Sequence, residues 1–245
     1  MARVIFPLPD HDFDITEVAV PWQLLVEADH QVVFATETGT TPACDPLLIT
    51  GVVFGRLGAR AEPLEMYRAL ERAPEFVTPR RWDACDAGEF DALYLAGGHA
   101  AGMRQYLDSE TVRRLTAAFF ATPKPIAAIC HGVLVAARTK TGDGRSVLHG
   151  VRTTCLPKYM ERSAYLATFW RRGRYYRTYP DYVEDEVRDA LAKPEDFERG
   201  PRELSKRGTR NDHNHAFVVE DGRYVSGRWP GDAYLLANKL IERLA

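Results

Sequence analysis

The stretch PIAAICHGVLVAAR (125–138) decides the fold. An apolar run, Ile126 to Ile129, stops at Cys130-His131-Gly132, and Val133, Leu134, Ala136 and Ala137 then resume at helical spacing. The short continuous run predicts a strand buried on both faces, followed directly by a helix. A cysteine at that seam has a plain reading as a small core residue. It has a sharper one as a nucleophile. A tight strand-to-helix turn lifts the side chain clear of the sheet, the dipole of the next helix favours the thiolate, and backbone amides point where an oxyanion would form. Gly132 lets the turn be tight, and His131 supplies a base or an electrostatic partner.

Outward from this seam, strand patterns alternate with helical ones. RVIFPL (3–8), QVVFA (31–35) and DALYL (91–95) read as strands, as does the short segment 152–156. Helical spacing covers 16–28, with Pro21 either in the first turn or kinking it, and also 64–73 and a stretch opened by Ser109. AFVVEDGRYVSG (216–227) is a hairpin about Asp221-Gly222, and 232–244 is a closing helix. The order predicts an α/β fold: a doubly wound, mostly parallel sheet flanked by helices. One domain fills 1–245, with 157–215, rich in tyrosine, arginine and charge, inserted as a lid or interface segment.

Bulk properties exclude several classes. A net charge of −2 sets up no field for nucleic acid or anionic membrane, and no apolar stretch is long enough to span a bilayer. The N-terminus has no secretory pattern, and four widely separated cysteines suggest reduced thiols in a cytoplasm. FWRRGRYYRTY (169–179) interleaves arginine with aromatics as a single-strand platform does, but a lid or interface uses the same residues. His213 and His215 share a face if extended, but no third metal ligand accompanies them. No metal site is expected.

Two further features converge on the edge that carries Cys130. GGHAAG (97–102) follows the DALYL strand, so Gly97, Gly98 and His99 can face the cysteine across a pocket at the carboxyl ends of the strands. Glu17 follows the first strand. Protonated, it can donate to a thiolate; ionised, it can take a substrate proton. Its plain reading is a first-turn glutamate favoured by the helix dipole.

The set of Glu17, GGHAAGM with Tyr106-Leu107, and AICHG resembles the ThiJ/PfpI superfamily, whose fold is flavodoxin-like and shared with class I glutamine amidotransferases. ATETG (35–39) and the connector before DALYL look most like its chaperone and glyoxalase III branch. The resemblance implies that Cys130 is the nucleophile, Glu17 its hydrogen-bonding partner and proton shuttle, and the amides of Gly98 and His131 the oxyanion hole. It also implies a homodimer. Larger members complete a Cys-His-acid triad with an aspartate, at whose place Lys158 stands here; Glu161 is the nearest acid. The expected function is a cysteine-dependent enzyme acting on small reactive carbonyls, glyoxalase III-like or deglycase-like, with no cofactor. The alternatives are an amidase or peptidase on the same elbow, or a non-enzymatic holdase chaperone or redox stress protein.

Overall fold

The computed structural model describes residues 1–245. The chain opens with β1 (Arg3–Pro7), a short β2 (His11–Phe13), α1 (Ile15–Glu27) and β3 (Gln31–Thr36). Small elements follow: β4 (Ala43–Cys44), α2 (Pro46–Thr50), α3 (Ala61–Leu70), the single turn α4 (Pro74–Val77) and β5 (Arg80–Arg81). The central part holds β6 (Ala92–Leu95), α5 (Met103–Leu107), α6 (Glu110–Phe120), β7 (Ile126–Ile129) and α7 (Gly132–Arg138). After it come α8 (Lys158–Arg172), α9 (Val183–Asp189), β8 (Val218–Asp221), β9 (Tyr224–Gly227) and α10 (Ala233–Leu244).

Seven strands form one sheet in the order β5-β3-β1-β6-β7-β9-β8. Every neighbouring pair is parallel except the β8–β9 hairpin. Helices α1, α3 and α10 pack together on one face, and α6, α7 and α9 on the other. With both faces covered, β6 and β7 are buried at every residue, which is why their sequences run apolar without alternation. The chain passes from β1 to β3 on one side and returns to β6 on the other, so the crevice between β1 and β6 is a topological switch point.

Three boundaries differ from the sequence reading. Segment 152–156 is not a strand: β9 already has β7 and β8 at its two edges, so Thr153 and Thr154 are pinned instead through the Ser226 hydroxyl, at 3.1 and 2.9 Å. Thr153 makes only an isolated bridge to Phe197. The helix expected over 64–73 begins at Ala61, where Glu62 and Pro63 suit a first turn. Pro21 lies well inside α1 rather than in its first turn. It therefore leaves the carbonyl of Glu17 without its helical donor. The Tyr94 hydroxyl, from β6, donates to that carbonyl at 2.8 Å.

Candidate active site

Cys130 is the residue between β7 and α7, and its backbone is left-handed, with φ of 56°. For a residue with a Cβ this is a strained conformation of the kind concentrated at functional sites. Two contacts hold it there. The Cys130 amide donates to the Gly227 carbonyl at 3.0 Å, which ties the elbow to β9. Gly132 then passes so close to β6 that a Cβ would fall on the carbonyl oxygens of Leu95 and Ala96.

Glu17 reaches the same point from α1. Asp14 caps this helix, its Oδ1 accepting the amides of Thr16 and Glu17 at 2.8 and 3.0 Å. Asp-x-x-Glu is the spacing of a capping box, in which the glutamate folds back to the cap amide. Here Gly97 intervenes: its carbonyl takes the Asp14 amide at 3.0 Å, and its own amide donates to Glu17 Oε2 at 2.9 Å. The glutamate is thus turned away from its own helix and against the Cys130 thiol. A Cβ on Gly97 would stand 2.5 Å from Glu17 Oε2 and 2.8 Å from Cys130 Cβ, so only glycine fits between them.

The electrostatics follow from burial. Glu17 is fully buried, and its carboxyl is pushed well above the usual range by desolvation and then by the Asp14 charge. Burial therefore favours its protonated form. Burial likewise pushes the Cys130 thiol up, with Glu17 and Asp14 adding to the effect. The expected dipole-stabilised thiolate is thus reversed, because desolvation outweighs what the short α7 and the His131 amide supply. Asp14 itself is raised to about 6 by burial.

His131 is buried, with Nδ1 3.4 Å from Cys130 Sγ and Nε2 3.2 Å from Thr178 Oγ1. The Thr178 hydroxyl donates its one proton to the His99 carbonyl at 2.6 Å. Nε2 must then carry the imidazole proton and donate to Thr178, leaving the Nδ1 lone pair toward the thiol. Burial lowers the His131 pKa to about 3, so the ring is neutral. Glu161 is placed elsewhere: it accepts the Val183 amide at 3.1 Å and lies 3.4 Å from Arg177 Nε. It makes no hydrogen bond to His131, whose outer nitrogen is taken by Thr178.

Gly98, at φ of 154°, and His131 donate their amides to no oxygen of the protein. The His99 ring stacks on Tyr176 at 4.3 Å and meets Tyr175 edge-on at 4.6 Å. His213 and His215 have separate partners, Asn238 at 3.1 Å and Glu203 at 3.5 Å. The arginine–aromatic run is engaged within the fold, Arg171 over Phe54 and Arg177 over Tyr182. No helix is long and apolar enough to cross a membrane.

Above Cys130, Glu17, Gly98 and His99 lies a cavity of about 300 Å³, walled by α8 and by Tyr176, Leu204, Arg207 and Trp229. Segment 157–215 thus borders the site. Asp14, Thr16, Thr178 and Arg207 are among the polar residues near it that the sequence reading does not single out. Only Asp14 carried a local signal, as a cap residue three before a glutamate.

Known proteins share this architecture. A deglycase of Pyrococcus abyssi is 26% identical over 95% of this chain and 93% of its own. A glutathione-independent glyoxalase of Schizosaccharomyces pombe is 29% identical over 56% of each chain. The crystal structure of glyoxalase III from Candida albicans superposes with a TM-score of 0.70 at 16% identity, covering 99% of this chain and 97% of that one. The ThiJ/PfpI family-like model matches residues 8–201, most of the chain, including Glu17, Gly97, Gly98, Cys130 and His131, and the protein belongs to that family.

Proposed function

We propose that the protein is a cysteine-dependent, glutathione-independent enzyme that converts 2-oxoaldehydes to 2-hydroxy acids. The observation that carries this reading is the buried carboxyl–thiol pair: Glu17, held on the Gly97 amide, lies against Cys130, and burial favours the neutral form of both. Such a pair moves protons without separating charge, which suits a site where burial penalises every ion.

Cys130 Sγ adds to the aldehyde carbon, and its proton passes through Glu17 to the aldehyde oxygen, giving a hemithioacetal. Glu17 then takes the proton on that carbon as it gives its own to the neighbouring ketone oxygen, leaving an enediol. Its new proton goes to the second carbon while it accepts the hydroxyl proton of the first. The product is a thioester of the 2-hydroxy acid, and water releases the acid and the thiol. The amides of Gly98 and His131, which have no oxygen partner in the protein, would bind the oxygen on the thiol-bearing carbon. His131, fixed by Thr178, presents Nδ1 to the thiol and orients it. The family relatives named deglycase and glyoxalase support carbonyl chemistry at this elbow.

An amide hydrolase would need an imidazolium during attack. A histidine lowered to about 3, facing a threonine rather than a carboxylate, does not favour one. A peroxide sensor would need an exposed thiolate, whereas Cys130 is 4% exposed and its thiol is pushed up.

The test is turnover of methylglyoxal to lactate without glutathione. Cys130→Ala and Glu17→Gln should each lose at least roughly 100-fold in kcat while remaining folded, the size of effect expected for a nucleophile or a proton-transfer group. Wild-type protein that is folded, reduced and silent on methylglyoxal and on larger 2-oxoaldehydes overturns the proposal.

A further inference from the structure

Arg207 stands out among the cations near the cavity. It lines the main cavity beside Asp14, Thr16 and Glu17, yet it makes no hydrogen bond and no ion pair. Its neighbours are all engaged: Arg210 bridges Glu27 and Glu62, Arg228 is paired with Asp232, and Arg60 donates to the Ser205 carbonyl at 3.0 Å. The Arg207 guanidinium rests over the Trp229 ring at 4.9 Å and is half-buried, so its planar fork is fixed in direction but not in partner. A partly desolvated guanidinium without an anion is costly to keep.

The surroundings narrow what could occupy it. Arg207 also forms the wall between the main cavity and a second of about 240 Å³, lined by Arg60, Thr209 and Tyr234. Thr16 borders both cavities, and its hydroxyl makes no hydrogen bond within the protein. The acids on this side are committed: Glu62 to Arg210, and Asp14 through Oδ1 to two amides of α1. The Asp14 charge acts on the Arg207 guanidinium, and both residues line the cavity that holds Cys130, so a ligand bound at one end by Cys130 can meet Arg207 at the other. A cavity of about 300 Å³ lies within the range of sites that hold ligands well above the size of methylglyoxal.

We infer that Arg207 binds a carboxylate of the substrate, so that the site selects 2-oxoaldehydes whose far end is anionic. This rests on the carbonyl-converting function proposed above and adds its specificity. The guanidinium takes the carboxylate in a forked pair of charge-assisted hydrogen bonds, with the Thr16 hydroxyl beside it. The apolar wall, Leu156, Met160 and Trp229, covers the chain between the two ends.

The test compares two substrates of equal chain length, 4,5-dioxopentanoate and neutral 2-oxopentanal, on wild type, Arg207→Met and Arg207→Lys. Wild type should prefer the carboxylate in kcat/KM by roughly 10- to 100-fold, the ratio that charge-assisted hydrogen bonding supports. Arg207→Met should collapse this ratio toward one, acting mainly through KM, and Arg207→Lys should restore part of it. A wild type without preference, or a methionine variant that slows both substrates alike, overturns the inference. Should wild type turn over neither, the proposed function fails, and calorimetric titration with unreactive 4-oxopentanoate decides the subsite separately. Saturable binding that weakens roughly 10-fold in Arg207→Met upholds it; no binding to wild type overturns it.

Discussion

The floor of the cavity and its wall are built in different ways. The floor, at the carboxyl ends of β1, β6 and β7, is fixed by backbone: Glu17 by the Gly97 amide, Cys130 by the Gly227 carbonyl, and α7 by the close approach of Gly132. The wall, drawn from residues 157–215, is tied down largely by side chains, with Lys158 paired to Asp185, Glu184 to Arg199, and Glu161 to Arg177. Backbone contacts fix position to a few tenths of an ångström and tolerate no substitution; charged side chains tolerate many. The floor is suited to chemistry and the wall to selection. Changes in the floor should therefore strike kcat or folding, and changes in the wall KM.

The sharpest way to break this contrast is Gly132→Ala. The new methyl group meets the Leu95 and Ala96 carbonyl oxygens, and neither backbone can yield without moving β6. Denaturant unfolding should show a loss of about 3 kcal/mol or more; a loss below about 1 kcal/mol would mean that the floor is as forgiving as the wall.

Asp14→Asn should go the other way. A carboxyl raised from 3.8 to about 6 on folding binds its proton more tightly in the folded state. Its contribution is therefore most favourable below about pH 4 and is lost as pH rises through 6. Asparagine caps as well as aspartate and carries no charge. The variant should match wild type near pH 4 and exceed it by up to about 3 kcal/mol at pH 8, read from urea midpoints. Equal stability at both pH values would remove burial as the dominant influence on this carboxyl.

Thr178→Val tests where the wall touches the floor. It leaves His131 Nε2 without its acceptor and frees the ring to turn from Cys130. We expect kcat to fall about tenfold with KM nearly unchanged, the cost of one orphaned buried donor, and Thr178→Ser to recover most of it. The smallest effect is predicted for Glu161→Gln, which keeps the acceptor for the Val183 amide. It should change kcat by less than about twofold, against the roughly 10⁴-fold loss expected of a triad acid.

These differences track what the sequence made legible. IAAI and ALYL are buried throughout, so their apolar runs state both strand and parallel sheet, and Cys130 falls at the seam. The hairpin about Gly222 was equally plain, with its φ of 56°. Thr153-Thr154 has the β-branched look of a strand, but its pairing is made by a Ser226 side chain, which no local pattern reports. Thr178 and Arg207 were invisible for a related reason. Their positions depend on how an irregular segment returns to an edge formed far earlier in the chain, His131 and Thr178 being 47 residues apart. Local rules mislead even for the Cys130 thiol, because the helix dipole is a property of the turn and desolvation one of the whole fold.

Pro21 gives the floor one more property. By withholding an amide proton, it opens the Glu17 carbonyl to Tyr94, while the Glu17 side chain is held by Gly97, just beyond the same strand. One residue is thus gripped at its backbone and at its carboxyl by a single stretch of neighbouring chain. A defect in the helix becomes an alignment pin: when β6 shifts, Glu17 travels with it, and the spacing between the acid and the strand beside the thiol is preserved through the ordinary breathing of the sheet.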